Sequence, residues 1–496
     1  MKRIPCIFLL LALLTSNFYG CGSTSETKAE VPSSSETTAA AEETVSEAED
    51  AAVTDDLPDL SLDGVTINTL IREEAKDEFA AEMDGDVIDA EVYNRNRTIE
   101  ERFDCSMTYT IELGSWTYMS TFQEKIRGTV LANDSTFDIV TGQSNIVQPL
   151  NVEGVFVNLL DEDYIDLTKP YWVEAYTDGI NLNGQVSTVC GDFAISSFSN
   201  ANVIFFNKAV MDDHNMTYPY EDALNGTWTF DKLLGMSETV TNDINGDGQM
   251  NMDDLRGFCA YNNSIQPFFS SFGLNYTGVD SDGIRYILVP DERTVNGADR
   301  VNEFYHSNTF VNASSADFVL VGANTEPSMA QYFMEGKYLF MGMVLEGIEY
   351  LRDMEVDFGI LPYPKYDEEQ ADYYTTILRR YTVAAVPISA EKSSNSALIL
   401  EALGSVGYND ILPKYYEVAL KGKYVRDESS SQVLDLIKSS LYLEFVDMYY
   451  ADLGFSDFFA SYVMNNSAGT YASSFESNRT VWETKLEKLY EAYNEG

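Results

Sequence analysis

The run Phe137-Asp138-Ile139-Val140-Thr141-Gly142-Gln143-Ser144 sets a short apolar strand before a glycine-bearing polar turn, as in a buried strand that opens into a loop. Upstream, Val92, Ile99 and Phe103 recur at helical spacing through residues 89–103. Residues 105–111 then read as a strand, and a helix is predicted around 118–131. Residues 65–71 before them are β-rich. Strands alternating with helices predict an α/β sheet covered on both faces. Downstream, residues 185–189 and the uncharged Val203-Ile-Phe-Phe206 continue the pattern, with a helix starting near Asn207-Lys208. A second α/β unit is expected from about Lys208 to Pro364, then a strand at 381–386 and helical patterns to the end. In the last of these, Val481, Leu486, Leu489 and Tyr493 form an apolar stripe.

The 496 residues carry 31 Lys plus Arg against 80 Asp plus Glu, a formal charge of −49, with 45% hydrophobic residues. That apolar fraction fills real cores and excludes wholesale disorder. The negative field repels phosphate backbones, so nucleic acid is not an expected partner. With only His214 and His306, histidine-based catalysis and histidine-rich metal centres lose weight.

At the N-terminus, Met1-Lys-Arg3 precedes an uncharged apolar run over residues 4–14, too short to span a bilayer and suited to a signal-peptide core. Residues 1–20 are read as a secretion signal. Cys21, between Gly20 and Gly22-Ser-Thr-Ser25, resembles a bacterial lipobox cysteine, although Phe18 and Tyr19 depart from its usual Leu and small residue. The alternative is an ordinary signal cut nearby. Residues 22–61 hold no aromatic residue and eleven acids against the single base Lys28. Residues 21–61 are therefore expected to be an acidic, disordered tether. Cys105, Cys190 and Cys259 cannot make a full disulfide framework; three reduced, buried thiols are expected, the alternative being one bridge and a free thiol.

Several segments together resemble the extracellular solute-binding protein family 1, the substrate-binding lipoproteins of ABC importers. They are the Cys21 tether, Val203-Ile-Phe-Phe-Asn-Lys208, Gly226-Thr-Trp-Thr-Phe-Asp-Lys-Leu-Leu234, Phe333-Met-Glu-Gly-Lys-Tyr-Leu-Phe-Met341 and Phe358-Gly-Ile-Leu-Pro-Tyr-Pro-Lys365. The resemblance implies a two-lobed α/β fold of the periplasmic-binding-protein type II kind, with an interlobe cleft and a hinge. By that pattern the first lobe takes 62–204 plus about 376–410, and the second 205–375 plus about 411–496. It also implies a monomer lipid-anchored to the outer face of the cytoplasmic membrane, which captures a solute, such as an oligosaccharide, and delivers it to ABC permease subunits. A surface glycosidase and a receptor coupled to a membrane kinase are the competing readings.

The sharpest local motif is Asp243-Ile-Asn245-Gly-Asp247-Gly248-Gln249-Met-Asn251-Met-Asp253-Asp254. It places oxygen donors at positions one, three, five, nine and twelve, with Gly at six and the Gln249 carbonyl at seven, the spacing of a twelve-residue calcium loop. Asp in place of Glu at position twelve shortens the last arm. A structural Ca²⁺ on Asp243, Asn245, Asp247, Gln249, Asn251 and Asp254 is expected, against the alternative of a polar turn.

Sugar clefts need aromatic faces and polar groups. Trp116 in Gly114-Ser-Trp-Thr-Tyr118 and Trp172 after Lys169-Pro170-Tyr171 are loop candidates. Trp228 is expected to anchor packing and Trp482 to lie in the core. Gln143, Ser144 and Asn145 follow a buried strand, and Asn200 precedes one, so they are expected to face the cleft. Where the resembled sugar binders carry a stacking aromatic, this chain has Gly342-Met-Val-Leu-Glu346, which offers Glu346 as a hydroxyl or ammonium acceptor. Arg379 and Arg380, before the strand at 381–386, are candidates for an anionic ligand group or a surface ion pair.

Overall fold

Asn202–Asn207 and Tyr338–Val344 contain no exposed residue and lie side by side in the middle of one sheet. Continuous apolar strands of this kind need cover on both faces. The computed structural model describes residues 52–315, 325–352, 354–417, 428–465 and 468–495. The signal run, Cys21 and the tether up to residue 51 lie outside the described residues.

The first sheet runs, edge to edge, Cys105–Glu112, Val65–Arg72, Ile139–Gln143, Thr382–Ala385 and Thr188–Val189. Its first three strands are parallel, and Thr382–Ala385 is antiparallel to both of its neighbours. The second sheet runs Phe358–Pro362, Asn202–Asn207, Tyr338–Val344, Arg256–Ala260 and Phe310–Asn312, with only Asn202–Asn207 antiparallel to its neighbours. The expected α/β architecture is present. Its best-marked helix, Val87–Phe103, starts at a capping box in which the Asp86 side chain accepts from Asp89 N–H and the Asp89 side chain accepts from Asp86 N–H.

Chain segments cross between the sheets at 200–201 and 377–381, where Ala201 and Ile377 pair antiparallel and Leu378 N–H donates to Asn200 O at 2.8 Å. The strand that begins at Asn202 thus belongs wholly to the second sheet, three residues ahead of the expected second-lobe start at 205.

Three features differ from the sequence reading. Thr141 and Gly142 continue the strand instead of turning; a Cβ on Gly142 would lie 2.8 Å from Val147 Cγ2, so glycine is there for close packing. Residues 53–60, expected in the tether, dock on the first lobe. Val53, Leu57 and Leu60 pack against its core, and Arg102 pairs with Asp55 at 2.5 Å. The C-terminal helices, expected in the second lobe, lie across both. Tyr449 Oη donates to Ile180 O of the first lobe at 3.0 Å, and Tyr276 Oη of the second donates to Ser456 O at 3.2 Å. Met448 sits so close to Gly179 that a Cβ there would fall 1.9 Å from Met448 Cε.

Cys105, Cys190 and Cys259 are free and buried. Among the described residues no helix is long and apolar enough to cross a membrane.

Candidate functional site

A cavity of about 490 Å³ lies where the carboxyl ends of parallel strands from both sheets face each other. There a strand stops and its next side chains project outward, which is where open α/β sheets bind ligands. From the first sheet, Val65–Arg72 delivers Arg72 and then Glu74, Asp77 and Glu78, while Ile139–Gln143 delivers Gln143. From the second, Tyr338–Val344 delivers Glu346 and Glu349. Asn200 and Arg380, on the two crossing segments, complete the floor.

Arg380 ties this floor together. Its Nε donates to Asn200 Oδ1 at 2.6 Å and its Nη2 to Glu346 Oε2 at 3.0 Å. Arg72 is 6% exposed and donates to Arg380 O at 3.0 Å and to Thr382 Oγ1 at 3.1 Å. Glu78 accepts from Ser196 N–H at 2.8 Å and from the Thr382 hydroxyl at 2.5 Å. Positions are therefore fixed before any ligand arrives, which limits the ordering cost of binding. Burial raises the pKa of Glu346 although Arg380 opposes the shift. Burial and then the neighbouring Asp89 raise that of Asp77. Glu74 goes the other way: against the cost of partial burial, the amides of Gly114 and Ser115 hold it below the ordinary range.

Of the residues singled out in the sequence, Gln143, Asn200, Glu346 and Arg380 line this cavity. Ser144 is buried and serves the hinge, its Oγ donating to Arg379 O at 2.8 Å and its N–H to Tyr381 O at 2.9 Å. Asn145 keeps one buried oxygen without a partner and does not line the cavity. Arg379 turns away from its neighbour Arg380 into a second cavity of about 280 Å³, pairing with Asp447 at 2.9 Å and Asp457 at 2.7 Å. Trp116 is 55% exposed and meets the Tyr450 ring edge-on at 6.3 Å. Arg379 lies over that same Tyr450 ring, 4.1 Å from its centroid.

Trp172 is not at the cleft. It is 3% exposed, packs on Tyr171 and Phe193, and donates Nε1–H to Glu401 at 3.3 Å. Trp228 is fully buried and donates to Pro362 O, and Trp482 stacks on Phe455. Sequence reasoning missed the charged run Arg72–Glu78. The rule that found Gln143, polar residues after a buried strand, would have found it too. No local signal marks Ser199 or Tyr415, which also line the cavity.

In the candidate metal loop each acidic group is held by main-chain amides. Asp243 accepts from Gly246 at 2.7 Å and Gly248 at 2.8 Å, Asp247 from Gln249 at 2.7 Å, and Asp254 from Asn251 at 2.8 Å and Ile244 at 3.1 Å. Gly246 and Gly248 take φ of +72° and +79°, which sets the sharp turn. Among the described residues no three Asp, Glu, His or Cys groups gather as for a metal. The donor set still suits a hard cation in kind, because a carboxylate oxygen that accepts one N–H keeps a second lone pair.

No family model and no curated protein matches the chain. Solved structures do. A sugar transporter from Rhizobium etli in an open conformation is 16% identical, with 86% of this chain and 99% of that one covered at a TM-score of 0.54. An ABC transporter solute-binding protein from Thermotoga lettingae bound with alpha-D-tagatose is 12% identical, covering 85% and 100% at 0.53. The maltose-binding periplasmic protein of Listeria monocytogenes in complex with maltose is 13% identical, covering 86% and 99% at 0.53. The chain has the two-lobed solute-binding-protein fold. In this solute-binding fold the 490 Å³ cavity is the space between the lobes.

Proposed function

We propose that the protein is the extracellular solute-binding component of an ABC importer, holding a saccharide between its lobes and passing it to the permease. The observation that carries this reading is the cavity at the carboxyl ends of both sheets, floored by the two crossing segments. A ligand there touches both lobes, and contacts made only in the closed form are what shift an open–closed equilibrium. Cys21 would carry the lipid anchor, since two acyl chains give stable attachment where one gives marginal binding. Ca²⁺ would sit on the side chains of Asp243, Asn245, Asp247, Asn251 and Asp254 with the Gln249 carbonyl. Its role there is to brace the turn. The chain binds as a monomer and does not turn its ligand over.

The test is a saccharide panel read by thermal shift, product assay and small-angle scattering. Stabilisation and compaction without product support the reading. Product release points to a glycosidase, and an unchanged scattering profile at saturating ligand rejects the hinge. Fractionating cells that carry Cys21→Ala tests the anchor: release into the medium is expected, and retention on membranes refutes it.

A further inference from the structure

The interlobe cavity is lined by eight carboxylates against four guanidinium groups. Two of the four are not presented to a ligand. Arg72 and Arg95 are 6% and 2% exposed and spend their hydrogen bonds on the scaffold, Arg95 on Phe193 O at 2.7 Å and Glu78 O at 2.8 Å. A third, Arg352, meets Glu349 at 3.5 Å with both side chains 54% exposed, a pair that holds its partner weakly. The fourth, Arg380, donates to Glu346 Oε2 at 3.0 Å and leaves the other oxygen of that carboxylate open. On the first-lobe lip, Asp77 has no hydrogen bond or ion pair among the described residues, and Asp86 and Asp89 are bonded to helix amides with no cation. A second opening of about 540 Å³ shares Asp77 and Asp89 with the cavity and adds Glu82 and Asp84 against the single cation Lys76, itself paired with Glu73 at 3.3 Å, so the acidic lining continues outward over the first lobe.

Two hydroxyls point the same way independently of charge. Ser199 and Tyr415 are 6% and 7% exposed, line the cavity, and have no hydrogen-bond partner among the described residues. A buried polar group left in this state awaits a partner from a ligand or solvent. The Tyr415 hydroxyl lies within the field of Glu349 and Glu346. Among the described residues no exposed aromatic face lines the cavity to receive the apolar side of a neutral sugar ring; Phe193 and Tyr415 are both buried.

Resting on the solute-binding reading, we propose that the cleft selects an amino-bearing, cationic saccharide, whose ammonium is received by Glu349 beside the Arg380-paired Glu346 while its hydroxyls meet Ser199 and Tyr415. Asp77, Asp86 and Asp89 extend the same preference to a second amino sugar along the lip.

The experiment uses the full mature chain and three disaccharides of equal linkage: the β-linked glucosamine dimer, its N-acetylated form and cellobiose. Calorimetry at neutral pH should give the free amine an affinity about tenfold or more above the other two, the size of one charge-assisted hydrogen bond. The preference should shrink with added salt. Glu349→Gln and Asp77→Asn should each reduce it several-fold while leaving the ligand-free melting midpoint in place. Equal or tighter binding of the neutral dimers overturns the amine preference and leaves solute binding standing. Full amine preference in both variants overturns the assigned carboxylates. Binding of none of the three removes the inference together with saccharide capture.

Discussion

Trp116 and Trp172 stand in similar polar loops, yet one is 55% exposed and the other 3%. What buries Trp172 is distant in sequence: Glu401, which also accepts from the Tyr171 hydroxyl and from Asp166 N–H at 3.1 Å. Nothing local to residues 169–173 encodes that partner, so sequence could not separate the two tryptophans. The difference is measurable. Trp172→Ala removes a core ring and should cost about 3–5 kcal/mol of stability, with the affinity of the folded fraction unchanged. Trp116→Ala should stay within about 0.5 kcal/mol of wild-type stability and, since Trp116 does not line the cavity, leave saccharide affinity unchanged. Chemical denaturation and calorimetry on both variants check this; early melting of the Trp116 variant, or a loss of its affinity, would reverse the assignment. Glu346 was legible through the family resemblance, which marks the segment after Tyr338–Val344 as a ligand contact. Ser199 and Tyr415 were not, since a hydroxyl's freedom is set by what fails to approach it.

At the scale of elements, uninterrupted apolar strands were the readable part: Asn202–Asn207 and the segments around it fell close to their expected bounds. Gly142 misled because glycine marks turns and tight packing alike, and only Val147 and Phe122, brought against it by the fold, decide between them. The loop from Asp243 to Asp254 was legible in spacing, while the amide bonds that occupy its carboxylates depend on backbone geometry. Three carboxylates on one short loop repel one another unless a cation joins them. Excess Ca²⁺ should raise the melting midpoint over that in excess chelator, by the equivalent of about 2.7 kcal/mol at one hundred times the dissociation constant. Asp243→Ala with Asp247→Ala should abolish the shift. An equal shift in the double variant would place the ion elsewhere.

Across the whole molecule, burial drives a set of carboxyl groups upward: Asp192, Glu401 and Glu444 to about 7 and Asp452 to about 6. A raised acid keeps its proton in the native state over the interval where the unfolded chain has lost it. Stability therefore falls as pH rises from the ordinary carboxyl range through about 7. Self-repulsion in a chain of formal charge −49 acts in the same direction. Asp254 and Glu74, held low, oppose this only at more acid pH. The melting midpoint should peak on the mildly acid side and decline toward pH 8; a midpoint that rises over that interval contradicts the assignment. The helices laid across both lobes have a thermal consequence of their own. One continuous apolar cluster takes in Leu70 and Tyr176 of the first lobe, Phe258 and Phe340 of the second, and Tyr449 and Tyr493 of the C-terminal segment. The part of the first lobe that packs in this cluster cannot come apart without exposing the second lobe's core. Where two-domain chains often show two heat-absorption peaks, this one should come apart in a single endotherm. An excised lobe should not survive as a soluble fragment.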